Sequence, residues 1–365
     1  MQHHQAGAWI GAWNWAMATA WLLLLLAALL LPAAPVRAEE PPIPLRVIGS
    51  YDHTEMYAAY EEPFWTQQVP ALTGGLLHPS IAPLDRAGIR EPELFSLIRL
   101  GVLPVATVPL ALATGDDPEL SIVDLPALNP DLGALRRSLA QWRPHLQAVL
   151  AERYDIQLLA LLTPTAQVIF CREPFAHLAD VARRRVRVGS VAQGELIEAL
   201  GGTALMLPLP LVVPAIRDRA VDCAITGSMP GNRIGLHRVT SHVSRLPVSW
   251  FVSAVAMNGA VWRNLPEAVR QPLQAGLARL ETAVLDGAEA AIEDGFACDA
   301  GLPSCTGGTP GHMTVVNDRW DEAERRRLLQ DVLLPRWVAR CGADCATTWD
   351  RIAAPELGLH IRPPP

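Results

Sequence analysis

The sequence predicts an α/β fold of two lobes joined by hinge crossings, with a long helix towards the C-terminus. Three observations lead there. Between Val186 and Ile225 short apolar strands alternate with short helices, the pattern of a parallel sheet with crossover helices. Strands and helices also follow one another from Leu45 to Leu162, which gives a first lobe. The apolar stretch Val248–Met257 is long enough to leave the second lobe and return to the first, and two crossings between lobes make a hinge. A chain of 365 residues is long enough for two cores.

Each element has a local reason. Leu45–Gly49 reads as a first strand ended by glycine, and Tyr57–Val69 carries a helical pattern. Pro92, with Glu91 and Glu93 beside it, opens a helix that Gly101 stops. Val105–Leu110 is an apolar strand. The Pro-, Gly- and Asp-rich stretch from Ala113 to Leu132 is expected to be a loop, and Leu135–Tyr154 a long helix. Gln157–Leu162 and Val168–Cys171 are strands. Val186–Val188, Ala204–Leu207 and Val221–Ile225 are strands interleaved with helices at Gln193–Leu200 and Val212–Asp218, the first stopped by Gly201-Gly202. Pro266–Asp294 is a long amphipathic helix, and Glu322–Ala339 a last one. The expected organisation is a leader at 1–38, a first lobe at 45–165 plus 248–285, a second lobe at 166–247, and a helical extension with a cysteine-bearing loop at 286–365.

Composition narrows the function classes. The formal net charge of -7 and the lack of clustered basic residues argue against a nucleic-acid partner. The one basic run, Arg183–Arg187, is expected to be mostly solvated. Trp15 to Leu31 is almost wholly apolar, Pro32 breaks it, and Val36-Arg37-Ala38 offers small residues for a signal peptidase. This predicts a secretory signal cleaved after Ala38; an uncleaved membrane anchor is the alternative. The six cysteines agree with an oxidising compartment. Cys298 with Cys305, and Cys341 with Cys345, are close enough in sequence for local disulfides; a Cys298–Cys305 bridge contributes about 2.5 kcal/mol on the chain-entropy account. A zinc site at Cys341 and Cys345 is the rival reading.

Two stretches carry site chemistry. In Val186-Arg187-Val188-Gly189-Ser190-Val191 a strand ends in arginine and a helix begins after glycine. The first amides of that helix and a planar guanidinium together suit a carboxylate. In Val221–Ser228 a buried strand ends in hydroxyls and glycine, which suits hydrogen bonding at a sheet's carboxyl end. The alternatives are a surface arginine and an ordinary turn.

These stretches resemble the dicarboxylate-type (DctP-like) solute receptors of TRAP transporters. Asp180–Val188 matches the family's D-x-x-G-x-K-x-R-V lead-in, Gly201-Gly202-Thr203 the following glycine pair, and Val221–Thr226 a strand end that the family writes VDGxEN. Asn258, Trp262 and Leu265-Pro266-Glu267 match N-x-x-x-W-x-x-L-P-x-E. The resemblance runs with gaps from about Leu45 to Glu281. It implies a two-lobed periplasmic-binding-protein fold, a periplasmic location and a small organic anion as ligand. It also implies membrane permease subunits as partners and no cofactor or metal. Arg187 then pairs with the ligand carboxylate, with Ser190 and Val191 beside it. Thr226 replaces an asparagine, and Gln167 an arginine present in some members. Ser50, Tyr51, Asp52 and His53 occupy the first lobe's contribution, Trp250 follows the second crossing, and Arg90 and Glu91 sit where some members read the ligand's far end. Ile225 stands for the family's glutamate and Cys223 for a glycine, which moves the expected ligand away from the usual C4-dicarboxylates and sugar acids. On this alignment Cys171 and Cys223 lie in neighbouring strands and form a disulfide.

An enzyme finds little support. No Gly-x-Ser-x-Gly, Gly-x-Gly-x-x-Gly or Gly-x-x-x-x-Gly-Lys occurs, and His237 and His242 near Ser241 fit no triad or metal spacing. A solute sensor for a signalling receptor is the closer alternative, a secreted hydrolase the more distant one.

Overall fold

The computed structural model describes residues 41–361, apart from Asp116 and Pro164. The expected signal at 1–38 lies outside the described residues. None of the described helices is long and apolar enough to cross a membrane.

Two mixed sheets organise the chain. The first has the strand order β2-β1-β3-β10-β4, from β1 (Ile43–Gly49), β2 (Leu77–Pro83), β3 (Val105–Pro109), β4 (Ile156–Leu162) and β10 (Ser253–Asn258). The second has the order β11-β9-β5-β8-β6-β7, from β5 (Gln167–Cys171), β6 (Arg185–Val188), β7 (Thr203–Met206), β8 (Cys223–Gly227), β9 (His242–Ser244) and β11 (Thr314–Val316). β3 and β8 are buried along their whole length, as an unbroken apolar run requires. In each lobe one strand from the other side of a crossing runs antiparallel to its neighbours: β10 against β3 and β4, and β5 against β8 and β9.

Helices Ala343–Ile352 and Ala354–Leu357 follow the one expected to be the last, and the sequence reading differs from the structure in four further places. β2 contains Pro79 and Pro83, which argue against a strand, yet it pairs only with β1 at the edge of its sheet, where a missing N–H costs nothing. The stretch 113–132 is no solvated loop: turns of 3-10 helix bury Leu120, Ile122 and Val123 completely. The strand expected over Val248–Met257 begins only at Ser253. Before it, Phe251 adopts φ 56°, and the Trp250 and Phe251 amides donate to the Asp124 carboxylate at 2.7 and 2.6 Å rather than to a strand. The helix expected to end at Asp294 runs from Glu267 to Ala300, where Gly301 at φ 72° ends it.

The last three of these departures bear on the hinge. The crossing after β4 and the crossing after β9 lie side by side, joined by an isolated bridge between Gln167 and Ser249. Gln167 N–H donates to the Ser249 carbonyl and Val248 N–H to the Gln167 carbonyl, both at 2.8 Å. The long helix Glu267–Ala300 is a third connection. Its N-terminal half buries Leu273, Leu277 and Val284 in the core of the first sheet. Its C-terminal half passes so close to the helix Ser228–Ile234 that a Cβ on Gly295 would lie 2.5 Å from the Met229 amide nitrogen. Only glycine fits there.

The segment after Asp318 closes the back of the molecule. Helical turns from Glu322 to Cys341, then Ala343–Ile352, bury Trp337 and Trp349 beside Trp142 of the helix Leu132–Tyr154. Trp337 donates to the Pro118 carbonyl at 2.9 Å, and buried Arg325 donates to the Ala127 carbonyl at 2.6 Å. Both contacts hold the 113–132 stretch in place.

All six cysteines are paired, as Cys171–Cys223, Cys298–Cys305 and Cys341–Cys345. The last pairing leaves no thiolates for zinc. Cys171 and Cys223 face each other in register across β5 and β8, with Cα atoms 4.1 Å apart. Replacing both with alanine should cost roughly 2–5 kcal/mol while leaving the fold in place. Urea unfolding of the purified mature protein under non-reducing conditions measures this; an unchanged midpoint would show that the bridge is dispensable.

Candidate functional site

A cavity opens between the carboxyl ends of the two sheets and is walled by both lobes, both crossings and the long helix. Ligands of open α/β sheets bind at such strand ends. Its walls include Arg187, Thr226 and Gln167 from the second sheet and Tyr51 and Glu91 from the first lobe, with Trp250 from the hinge.

Arg187 is the last-but-one residue of β6, between the strand that buries Val186 and the glycine that turns into the next helix. Its side chain is 7% exposed. Nε donates to the Leu207 carbonyl and Nη1 to the Ile225 carbonyl, both at 2.8 Å. Leu207 follows the last residue of β7, and Ile225 lies in β8 one residue past its last pairing with β6, so the two flanking strands orient the guanidinium. Among the described residues no carboxylate forms an ion pair with it. Burial lowers its pKa to about 10, with Glu91 and Tyr51 opposing that through space, so it stays cationic at neutral pH. Its neighbours in the basic run are used differently: Arg185 pairs with Asp222 at 2.8 Å, and Arg184 donates to backbone carbonyls at the surface.

Thr226 and Gln167 lie at the adjoining ends of β8 and β5, 4% and 8% exposed. Their backbones are held by the sheet and the hinge, and their side-chain polar atoms face the cavity without a protein hydrogen bond. Tyr51 follows β1, and its hydroxyl donates to Glu91 Oε2 at 3.1 Å. Trp250 presents its ring to the cavity while its Nε1 donates to the Asn129 carbonyl at 2.8 Å, which locks the ring to the hinge.

The expected residues are not all brought together. Ser190 and Val191 lie outside the cavity wall. The Ser190 hydroxyl accepts the Gln193 amide at 3.3 Å, so it caps the helix Val191–Ala199. The Gly189 amide donates to Gln193 Oε1 at 2.8 Å, and Val191 points to solvent. The amides of Gly189, Gln193 and Gly194 are thus satisfied within the protein. Arg90 is exposed and pairs with Glu93, away from the cavity. Asp52 pairs with Arg86, and His53 does not line the wall. Ser241 donates its hydroxyl to the Arg172 carbonyl at 2.6 Å, a structural role.

Sequence reasoning missed the acids behind the walls. Glu61 is fully buried, accepting the Ser50 amide at 2.7 Å and the Thr107 hydroxyl, and burial raises its pKa. It fixes the loop after β1 that carries Tyr51. Asp124 does the same for the second crossing. An acid at a core position of an amphipathic pattern was the available signal for Glu61; Asp124 offered none, because its stretch reads as a loop.

The family model for bacterial extracellular solute-binding protein, family 7 (DctP), matches residues 56–294. The chain belongs to this family. A solute-binding protein of Albidiferax ferrireducens is 27% identical over 203 residues, 53% of this chain and 59% of that protein, so the match spans less than two thirds of this relative. Three solved solute receptors superpose with a TM-score of 0.74. DctP7 of Bordetella pertussis, a receptor binding pyroglutamic acid, is 20% identical, covering 84% of this chain and 98% of its own. A TRAP periplasmic solute-binding protein of Desulfovibrio salexigens, with bound orotic acid, is 18% identical and covers 86% and 99%. One from Rhodoferax ferrireducens, with bound malonate, is 20% identical and covers 86% and 98%. The two-lobed fold expected from the resemblance is therefore the family 7 fold, and the family's members are receptors rather than enzymes.

Burial gives this family 7 receptor a pH signature. It pushes Asp124 from its ordinary 3.8 up to about 7, against the pull of the hinge amides it accepts. Because the folded value lies above the unfolded one, the folded protein binds the extra proton. The stabilisation is full below the ordinary value and fades as pH rises through about 7. Asp124→Asn keeps an acceptor for the hinge amides and removes that titration. The variant should therefore gain melting temperature relative to the wild type as pH rises from 5 to 7.5. Parallel melting curves of the two proteins across that range would contradict the assignment.

Proposed function

We propose that this protein is the periplasmic receptor of a TRAP-type transporter. It binds one small organic carboxylate between its lobes and delivers it to membrane permease subunits. The observation that carries the reading is Arg187: a buried cation with no carboxylate partner, facing the inter-lobe cavity. A buried guanidinium is costly unless an anion meets it, and a carboxylate matches its remaining N–H fork. The relatives with pyroglutamic acid, orotic acid and malonate support this, since each of those ligands carries a carboxylate.

In this reading the anion enters the open cleft and pairs with Arg187, while the Thr226 hydroxyl and the Gln167 amide add hydrogen bonds. Tyr51 and Trp250 close over it as the first lobe swings in about the crossings at Thr163–Ala166 and 245–252. The permease then takes the solute from the closed form. No step makes or breaks a covalent bond.

Truncating one partner of such a buried pair commonly costs about 2–5 kcal/mol of binding. A thermal-shift screen of the purified mature protein against a carboxylate library, with Arg187→Ala alongside, tests it. A ligand should raise the melting temperature of the wild type and lose most of that effect in the variant. A well-folded protein that responds to no monocarboxylate, dicarboxylate, keto acid or sugar acid would remove the carboxylate assignment.

A further inference from the structure

Charge is unevenly spread over the cavity wall. Among the described lining residues Arg187 is the one cationic side chain, whereas the first lobe contributes two carboxyl groups, Glu55 and Glu91. A ligand with two carboxylates therefore finds a cation for only one of them.

The Tyr51–Glu91 pair is built to accept. Tyr51 directs its hydroxyl proton at Glu91 Oε2, so what the pair offers the cavity is lone pairs: those of the tyrosine oxygen and of the second carboxyl oxygen. Glu91 and Arg187 line the same cavity, and among the described contacts they form no ion pair with each other. Met56, Leu84, Leu209 and Trp250 add apolar wall beside them.

We infer that the solute is a monocarboxylate with a hydrogen-bond donor at its far end, an amide N–H, a hydroxyl or an ammonium, and that Glu91 with Tyr51 reads that donor. The inference rests on the carboxylate role of Arg187 above and adds the second half of the recognition. Where Glu91 is ionised, above about pH 7, a second carboxylate placed there would meet a like charge, which rejects dicarboxylates by repulsion rather than by size. A donor-free acid would leave the Glu91 oxygen without a partner. Burial pushes Glu91 up to about 7, with Tyr51 and Arg187 opposing, so a donor on the ligand also helps hold it ionised.

Calorimetry with three matched acids tests this: pyroglutamate, with a carboxylate and a ring N–H; cyclopentanecarboxylate, with the carboxylate alone; and glutarate, with two carboxylates. In the wild type pyroglutamate should bind at least ten-fold more tightly than either of the others. Glu91→Gln should shrink the gap between pyroglutamate and glutarate ten-fold or more, and Arg187→Ala should weaken all binding. Should Glu91→Gln fail to fold, Tyr51→Phe carries the test, weakening pyroglutamate several-fold while leaving cyclopentanecarboxylate unchanged. Glutarate or cyclopentanecarboxylate as the tightest ligand, or an order of affinities indifferent to Glu91 and Tyr51, would overturn the donor inference and leave the carboxylate role of Arg187 standing. Silence of all three acids in the wild type would overturn it as well; a response of the same protein to other carboxylates would then confine the failure to the inference.

Discussion

A guanidinium buried without a counter-ion is the constraint around which this molecule is arranged. Removing a cation from water is expensive, and dipoles alone offset it only in part. Arg187 meets that demand with the Leu207 carbonyl, one residue past β7, and the Ile225 carbonyl of β8, one residue past that strand's last pairing with β6. Both lie on the side to which the parallel strands β6, β7 and β8 deliver their carboxyl ends. The sheet topology therefore supplies the charge, its orientation and the remaining unfilled donors together. Arg185, two residues earlier, shows the contrast: half-exposed and paired with Asp222, it has no capacity left for a ligand.

An anion site in one lobe becomes a selective receptor only if the other lobe can be brought to it. The hinge answers this with buried acids instead of a continuous strand. Asp124 gathers the Trp250 and Phe251 amides, which lets Phe251 take a left-handed backbone that a bulky residue otherwise avoids. The crossing is thereby bent at a fixed point, and Gln167 and Ser249 tie it to its neighbour. Gln167 both belongs to that tie and lines the cavity, so hinge and cavity share a residue. The long helix adds a third link, set close to the second lobe through Gly295.

Much of this was legible in the sequence and some of it was not, for physical reasons. The alternation from Val186 to Ile225 revealed the second sheet because each strand is short, apolar and punctuated by glycine. Arg187 stood out because its strand–glycine–helix setting is local. Thr226, Gln167, Tyr51, Trp250 and Glu91 came from resemblance, and the structure gathers them around one cavity. Ser190 and Val191 were also expected from resemblance, yet they lie outside the cavity wall, and Gln193 turns back onto the Gly189 amide just before the helix. β2 was hidden by its prolines, the 113–132 core by its loop-like composition, and the bend at Phe251 by Asp124, a contact between residues more than a hundred positions apart.

The acids around the cleft extend the same logic. Glu91, Asp124 and Asp299 are each held near 7 by burial, at the edge of ionisation, while acids paired at the surface, such as Asp222 with Arg185, are held below their ordinary values. Glu91 differs from the other two in what it faces. Asp124 and Asp299 accept from fixed donors, the hinge amides and Asn232, whereas Glu91 has one tyrosine hydroxyl and an open cavity. In the empty cleft Arg187 and Glu91 are each other's distant partners, a weak arrangement because neither touches the other. A molecule bearing an anion at one end and a donor at the other satisfies both at once. In the proposed reading, that complementarity between a cation held by the second sheet and a carboxyl held by the first lobe joins lobe closure to ligand recognition.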